Sequence, residues 1–261
     1  MQTASYGVRA LVVACALLAI AGCASKDRAA EDLLPDRIYE RGHTLLMGGD
    51  YRGAVRYFEA LEANYPFSEE ARQARLDIIF AYYRAGQQES AIDAADQFIR
   101  ENPTHPRVDY AMYLRGLVYF ERSPNFLERW FNTDLTERPP QDVRRAFDAF
   151  DRLIKEKPNS VYAHDARQRM IFLRNRLADY EIHVAQHYLR RQAYVAAIAR
   201  ARYTIENYDG APAVRQALEI MIDAYRGLGL DDLAERSQEV FALNFPDARP
   251  ESQTRRWWWP D

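Results

Sequence analysis

Cysteine is almost missing from this chain: Cys15 and Cys23 are the two among 261 residues. Both lie near the N-terminus, so the body of the protein has no material for a disulfide framework, a cysteine metal cluster or a thiol nucleophile. Long apolar runs are missing too. The stretch Ala10–Ala21 has twelve residues, whereas a bilayer-spanning helix needs roughly 20. Positive charge is not in excess, since 35 Lys and Arg face 38 Asp and Glu for a net −3. That balance excludes a basic nucleic-acid footprint. No G-x-S-x-G elbow, Walker loop or dinucleotide glycine pattern occurs. His183 and His187 have the i, i+4 spacing of metal ligands, but "HVAQH" lacks the glutamate of the zinc-protease signature. The acid pairs Glu69-Glu70 and Asp231-Asp232 stand where helices start, complementing the dipole. The expectation is a protein that is not an enzyme and that holds no cofactor and no metal.

What is present begins with Arg9, the apolar core Ala10–Ala21 and the small pair Ala21-Gly22. Together they read as a secretory leader over residues 1–22. Ile20-Ala21-Gly22-Cys23 resembles the bacterial lipobox. That resemblance implies an S-diacylglycerol and an N-acyl chain on Cys23, which becomes the mature N-terminus, while Cys15 leaves with the leader. Two or three acyl chains anchor a protein stably where one does not. Ala24 stands where the inner-membrane retention signal has Asp, which implies the outer membrane, facing the periplasm. Residues 23–35 form a lipidated, polar tether ahead of the fold.

Self-similarity sets the architecture. "GDYRGAVRYFEALEANYP" (Gly49–Pro66) returns as "GQQESAIDAADQFIRENP" (Gly86–Pro103), with Gly, Ala and Pro each displaced by 37 residues. Related endings are "AFDAFDRLIKEKP" (Ala146–Pro158) and "GLDDLAERSQEVFALNFP" (Gly229–Pro246); "QAYVAAIARARYTIENYD" (Gln192–Asp209) is a degenerate copy without the Gly and the closing Pro. The pattern resembles the tetratricopeptide repeat of about 34 residues, with its G-x2-Y, A-x3-F and Pro landmarks. Gly116/Tyr119 match the first landmark, and Ala54/Phe58 and Ala146/Phe150 match the second. Small residues let two helices cross closely, aromatics fill the wedge beside them, and Pro ends the second helix. The expected fold is all-α, an α-solenoid of five helix–turn–helix repeats. Spacings of 55 (Ala91 to Ala146) and 51 (Ala146 to Ala197) mark an insert at 122–141 and an extra or extended helix after residue 159. The chain then divides into an N-terminal half, 36–159, holding repeats one to three, and a C-terminal half, 160–247, with the extra helix and repeats four and five. Residues 248–261 form a tail.

A solenoid binds along the face lined by the first helix of each repeat. Counting from the landmarks puts Tyr39, His43 and Met47, then Leu76, Phe80 and Tyr83, then Tyr110, Tyr113 and Leu117 on that face. The equivalent positions further on are polar: Asp179, Ile182, Gln186 and Arg190, then Gln216, Glu219, Asp223 and Arg226. Aromatics also serve plain inter-helix packing. The contrast between halves favours a peptide groove of Tyr39, Phe80, Tyr83, Tyr110 and Tyr113.

"NYPF" (Asn64–Phe67), "LDIIFAYYRAG" (Leu76–Gly86), "FIRENPTHPRVDYAMYLRG" (Phe98–Gly116), "PNSVYAHDARQRMIFLRNRLADYE" (Pro158–Glu181) and "RQAYVAAIARARY" (Arg191–Tyr203) resemble the BamD family. These are tetratricopeptide lipoproteins of the β-barrel assembly machinery. With the lipobox, the likeness covers nearly the whole mature chain. It implies a non-enzymatic subunit that joins the last periplasmic domain of the barrel-forming subunit BamA, works beside other Bam subunits, and binds the aromatic C-terminal strands of unfolded outer-membrane proteins. The N-terminal half is associated with substrate and the C-terminal half with BamA. Arg200 matches an arginine on the BamA-facing helix, and is expected as an exposed helix residue meeting an acidic partner. The tail departs from the family pattern: "RRWWWPD" (Arg255–Asp261) puts Trp257–Trp259 in a polar stretch. Such a cluster marks a partner, a membrane interface or fold-back onto the repeats. The alternatives are a repeat lipoprotein of another envelope system, such as a secretin pilotin or a cell-division coordinator, and an envelope metallohydrolase built on His183 and His187.

Overall fold

The computed structural model describes residues 34–122 and 141–248. The leader, Cys23, most of the tether, nearly all of the 122–141 insert and the Trp257–Trp259 tail lie outside the described residues. Within them, ten helices and no strands occur. They are α1 (Pro35–Met47), α2 (Tyr51–Asn64), α3 (Glu69–Arg84), α4 (Gln88–Glu101), α5 (Val108–Arg122), α6 (Gln141–Glu156), α7 (Ala163–Arg190), α8 (Tyr194–Asn207), α9 (Ala213–Gly227) and α10 (Asp231–Asn244). This is the all-α repeat architecture expected of the α-solenoid class.

Local chemistry explains where these helices start and stop. Pro35 opens α1 at a position whose N–H has no helical partner. Asp50 caps α2 by accepting from the Gly53 N–H at 2.9 Å, and Ser68 caps α3 by accepting from the Ala71 N–H at 3.0 Å. The turn inside a repeat recurs with one geometry. Gly49, Gly86 and Gly229 adopt φ of +83°, +76° and +70°. The following N–H donates back into the preceding helix, Asp50 to the Leu45 carbonyl and Leu230 to the Tyr225 carbonyl. In the degenerate copy Gln192 takes φ +59°, and the Ala193 N–H donates to the Tyr188 carbonyl at 2.9 Å. The turn is therefore retained where its glycine is not.

Second helices end on an equally regular corner. Tyr65, Asn102 and Phe245 precede Pro66, Pro103 and Pro246, which push them out of helical geometry to φ near −130°. Tyr208 reaches φ −128° without a following proline. There Arg174 of α7 donates to the carbonyls of Asp209 and Gly210 at 2.8 and 2.9 Å, holding the corner from outside.

Packing divides the chain into two compact units, one ending at Leu114 and the other beginning at Arg115, inside α5. This boundary precedes the 159/160 junction set by repeat counting. In the first unit α1 packs on α2 and α3, and α3 on α4, around Ile38, Ala54, Phe58, Leu61 and Ala74. In the second unit α7 packs on α6, α8 and α9, and α9 on α10. The landmark residues are core: Ala54, Ala91, Ala146, Ala197 and Phe150 are fully buried and Phe58 is 1 % exposed. Gly116 shows why its position is glycine, since a Cβ there would stand 2.5 Å from a ring carbon of Phe150.

The segment expected as an extra or extended helix is one continuous helix of 28 residues, α7. No Gly or Pro interrupts Ala163–Arg190, so at 1.5 Å per residue it runs about 42 Å. Its later part serves as the first helix of the fourth repeat. No described helix is long and apolar enough to cross a membrane.

Candidate functional site

In the first unit, α1 and α3 lie side by side as first helices of successive repeats. Tyr39 bridges them, its hydroxyl donating to Asp77 Oδ2 at 2.8 Å. Gln73 Nε2 reaches the two Asp77 oxygens at 3.4 and 3.5 Å. Burial, reinforced by the hydrogen bond to Asp77, pushes the Tyr39 phenol pKa well up, with the Arg107 charge working against it. Arg107 also stands over the Tyr110 ring, 5.1 Å from its centroid. Tyr39 of α1 and Asp77 of α3 are thus joined directly.

One turn along α3, the rings of Phe80 and Tyr83 lie 6.3 Å apart. Tyr51 of α2 meets Phe80 edge-on at 6.2 Å, and the Arg84 guanidinium lies 4.8 Å from the Tyr51 centroid and 5.7 Å from that of Phe80. Tyr39, Phe80, Tyr83, Tyr110 and Tyr113 are all half-buried, and Tyr39 and Phe80 also pack on the core cluster. Three sequence expectations are corrected, the first being Glu219, which is buried rather than on the polar face. Leu76 is 1 % exposed and belongs to the core, because Asp77, one position on, occupies the face that meets Tyr39. Ile182, 4 % exposed, is likewise core. His43 and Met47 are exposed.

In the second unit, α6, α7 and α8 line an open cleft of about 440 Å³. Gln141, Arg144, Arg145 and Asp148 line it from α6, Tyr180 and Glu181 from α7, and Arg200 from α8. Arg200 is an exposed residue of α8, and it is also paired. Its Nη1 donates to Glu181 Oε2 at 3.0 Å, with the Glu181 side chain 4 % and the Arg200 side chain 46 % exposed. A hydrogen bond to Tyr203 raises the Arg144 pKa, against the cost of burial and with help from Tyr208, Tyr203 and Glu181. The Tyr208 phenol is pushed up to about 12, chiefly by burial and then by Tyr203. His183 and His187 stand on α7, and among the described residues no group of three His, Cys, Asp or Glu gathers as a metal site.

The model of a family described as an outer membrane lipoprotein, YfiO, matches residues 31–240. The chain belongs to the YfiO family. Several similar proteins carry the name outer membrane protein assembly factor BamD. The one from Vibrio cholerae is 39 % identical over 229 residues, covering 88 % of this chain and 95 % of that protein. The Neisseria meningitidis serogroup A protein is 38 % identical over 235 residues, covering 88 % of each chain. The Xylella fastidiosa (strain Temecula1) protein is 35 % identical over 248 residues, covering 94 % of this chain and 84 % of that one. The YfiO-family match spans both compact units, so both the aromatic face and the charged cleft lie within it.

Sequence reasoning named the tyrosines and Arg200 but not Asp77, Arg107, Glu181 and Arg144, which lie beside them in the structure. A tyrosine at a groove position is visible in one repeat, whereas its acceptor sits in the next. The i, i+37 relation, applied to Tyr39, leads to Leu76 and so to the neighbour of Asp77.

Proposed function

We propose that this protein is an outer-membrane assembly factor, a lipid-anchored scaffold that helps β-barrel proteins enter the outer membrane. Near full-length similarity to proteins bearing that name carries the reading. Cys23 holds the chain to the membrane, with the repeats on the periplasmic side. The second unit docks the last periplasmic domain of BamA, with Arg200 as a contact. The first unit receives the C-terminal strand of an unfolded barrel protein, whose alternating side chains meet the half-buried rings of Tyr39, Phe80, Tyr83, Tyr110 and Tyr113. Tyrosine suits that task, since it offers a large flat face at low entropic cost. The chemistry is recognition, and no bond is made or broken.

Depletion of the protein in its own cells tests this function. Barrel proteins should fall in the outer-membrane fraction while periplasmic proteins and other lipoproteins hold their levels. Unchanged barrel proteins after full depletion would refute the proposal.

A further inference from the structure

The last helix carries an apolar stripe that α4 and α6 lack. Leu233, Val240 and Leu243 of α10 are 38 %, 46 % and 82 % exposed. With Arg236 they stand at i, i+3, i+7 and i+10, the spacing that gathers side chains along one helical face. Counted from the buried landmark alanines, the same places hold Ser90, Gln97 and Arg100 in α4, and Arg145, Arg152 and Lys155 in α6. All six are exposed and polar, as an outer face should be. Another side of α10 obeys the rule for the end of a repeat array. Glu235 is exposed where Ile92 and Ile198 are buried, which gives the polar terminal face that a solenoid needs. A further repeat, or a second copy stacked end to end, is therefore a poor occupant. Glu235 points away from Leu233 and Val240, and their apolar cluster marks a surface that something covers.

We propose that the cover is this chain's own C-terminal tail, with Trp257–Trp259 seated on Leu233, Val240 and Leu243. Phe245 and Ala248 pack against Leu218, Ile222 and Phe241, so the chain is pinned just beyond Leu243. Nine residues lead from Ala248 to Trp257. Extended, they reach about 30 Å, whereas the stripe from Leu233 to Leu243 is about 15 Å long. A tether that short gives the tail a local concentration of about millimolar, ahead of a partner in trans. Charge agrees with this choice. Helix α10 sets Asp231, Asp232, Glu235 and Glu239 against Arg236, and Asp232 and Glu239 border the stripe. Arg255 and Arg256 precede the tryptophans and complement that acidic edge. Indole suits the place, since its flat face buries a large apolar area while its N–H can reach a bordering carboxylate. The inference is independent of the assembly role.

Tryptophan fluorescence of the full mature chain tests this. Cys23→Ser keeps lipid out of the sample, and Trp130→Phe leaves Trp257, Trp258 and Trp259 as the emitters. Indole emission moves to shorter wavelength and resists quenching by acrylamide when the ring leaves water. This parent chain should show both effects relative to a synthetic peptide of residues 249–261, and at every protein concentration. Val240→Lys combined with Leu243→Lys should abolish both effects while circular dichroism still reports the fold. If that pair fails to fold, Leu243→Ser decides alone, its site being 82 % exposed. It should move the emission part of the way toward the peptide, and emission unchanged from the parent rejects the proposal. Peptide-like emission in the parent chain does the same. A blue shift that survives the α10 substitutions would seat the tryptophans elsewhere on the chain. One seen only at high concentration would mean a second copy, and one seen only with phosphatidylethanolamine and phosphatidylglycerol vesicles a membrane surface. One seen only with the periplasmic domains of BamA would mean a partner. Each of these outcomes overturns a cover supplied by the chain itself.

Discussion

Gln192 holds a backbone geometry that glycine holds at three equivalent turns, with φ +59° against +83°, +76° and +70°. A left-handed conformation costs an L-residue about 1–2 kcal/mol, part of which glycine returns through its greater unfolded-state entropy. Gln192→Gly should therefore stabilise the second unit by about 0.5–1 kcal/mol, seen as a melting temperature higher by roughly 2 °C. A lower melting temperature would show that the glutamine side chain makes a compensating contact. The opposite change, Gly116→Ala, puts a methyl 2.5 Å from the fully buried Phe150 ring. It should cost about 1–3 kcal/mol by overpacking, and denaturant unfolding that placed the loss below this range would mean the α5–α6 crossing is looser than drawn. Arg200 behaves differently from a surface charge. Arg200→Glu would set a second carboxylate against buried Glu181, and even Arg200→Ala strips Glu181 of its partner. For the truncation we expect about 1–3 kcal/mol of lost stability, less than for a fully buried pair because Arg200 is half exposed. Thermal unfolding reads this directly, and an unchanged transition would mean that water replaces Arg200 at no cost.

Among the helices, α1, α3 and the start of α5 are those to which the proposed function assigns substrate recognition. A peptide ending in Phe should bind the first unit with micromolar affinity, roughly, since it must be ordered on binding. Replacing that Phe with Ser should lose about 1.5–3 kcal/mol, the value of burying one large apolar side chain. Tyr110→Ala combined with Tyr113→Ala should weaken the peptide and leave BamA capture intact. If these rings are only core, the double variant loses fold and both activities together, which circular dichroism reveals. Titration of a stable double variant that still bound at wild-type strength would reject the groove. The elements themselves were legible because Gly, Ala and Pro recur at fixed spacing, and each does a job that few other residues can do. At Gln192 the repeat was legible but the left-handed conformation was not, since nothing in that residue's own preference signals it. Continuity of α7 hid as well, because an uninterrupted helical pattern does not say where one repeat yields to the next. Leu76 and Asp77 show the limit of register: a shift of one residue rotates a side chain by about 100° around a helix, enough to exchange core for surface. Glu181 could not be read at all, because burial of a charge depends on an arginine nineteen positions on and one helix away.

For the whole molecule, the proposed function needs a lipid anchor, a substrate face and a docking cleft in one chain. Cys23→Ser should leave a foldable protein that fractionates as soluble periplasmic material or stays uncleaved at the inner membrane. Outer-membrane fractionation unchanged by the substitution, with no acyl mass on the wild-type N-terminal peptide, would contradict the anchor. The central claim is that this chain serves barrel assembly rather than another envelope system. Capture of the tagged full-length protein from detergent-solubilised envelopes, with its companions identified by mass spectrometry, addresses that claim most directly. BamA should appear among the companions in comparable amount to the bait, and be lost from an Arg200→Gln variant that still folds. Capture of a pilus secretin or a cell-division protein in place of BamA would contradict it.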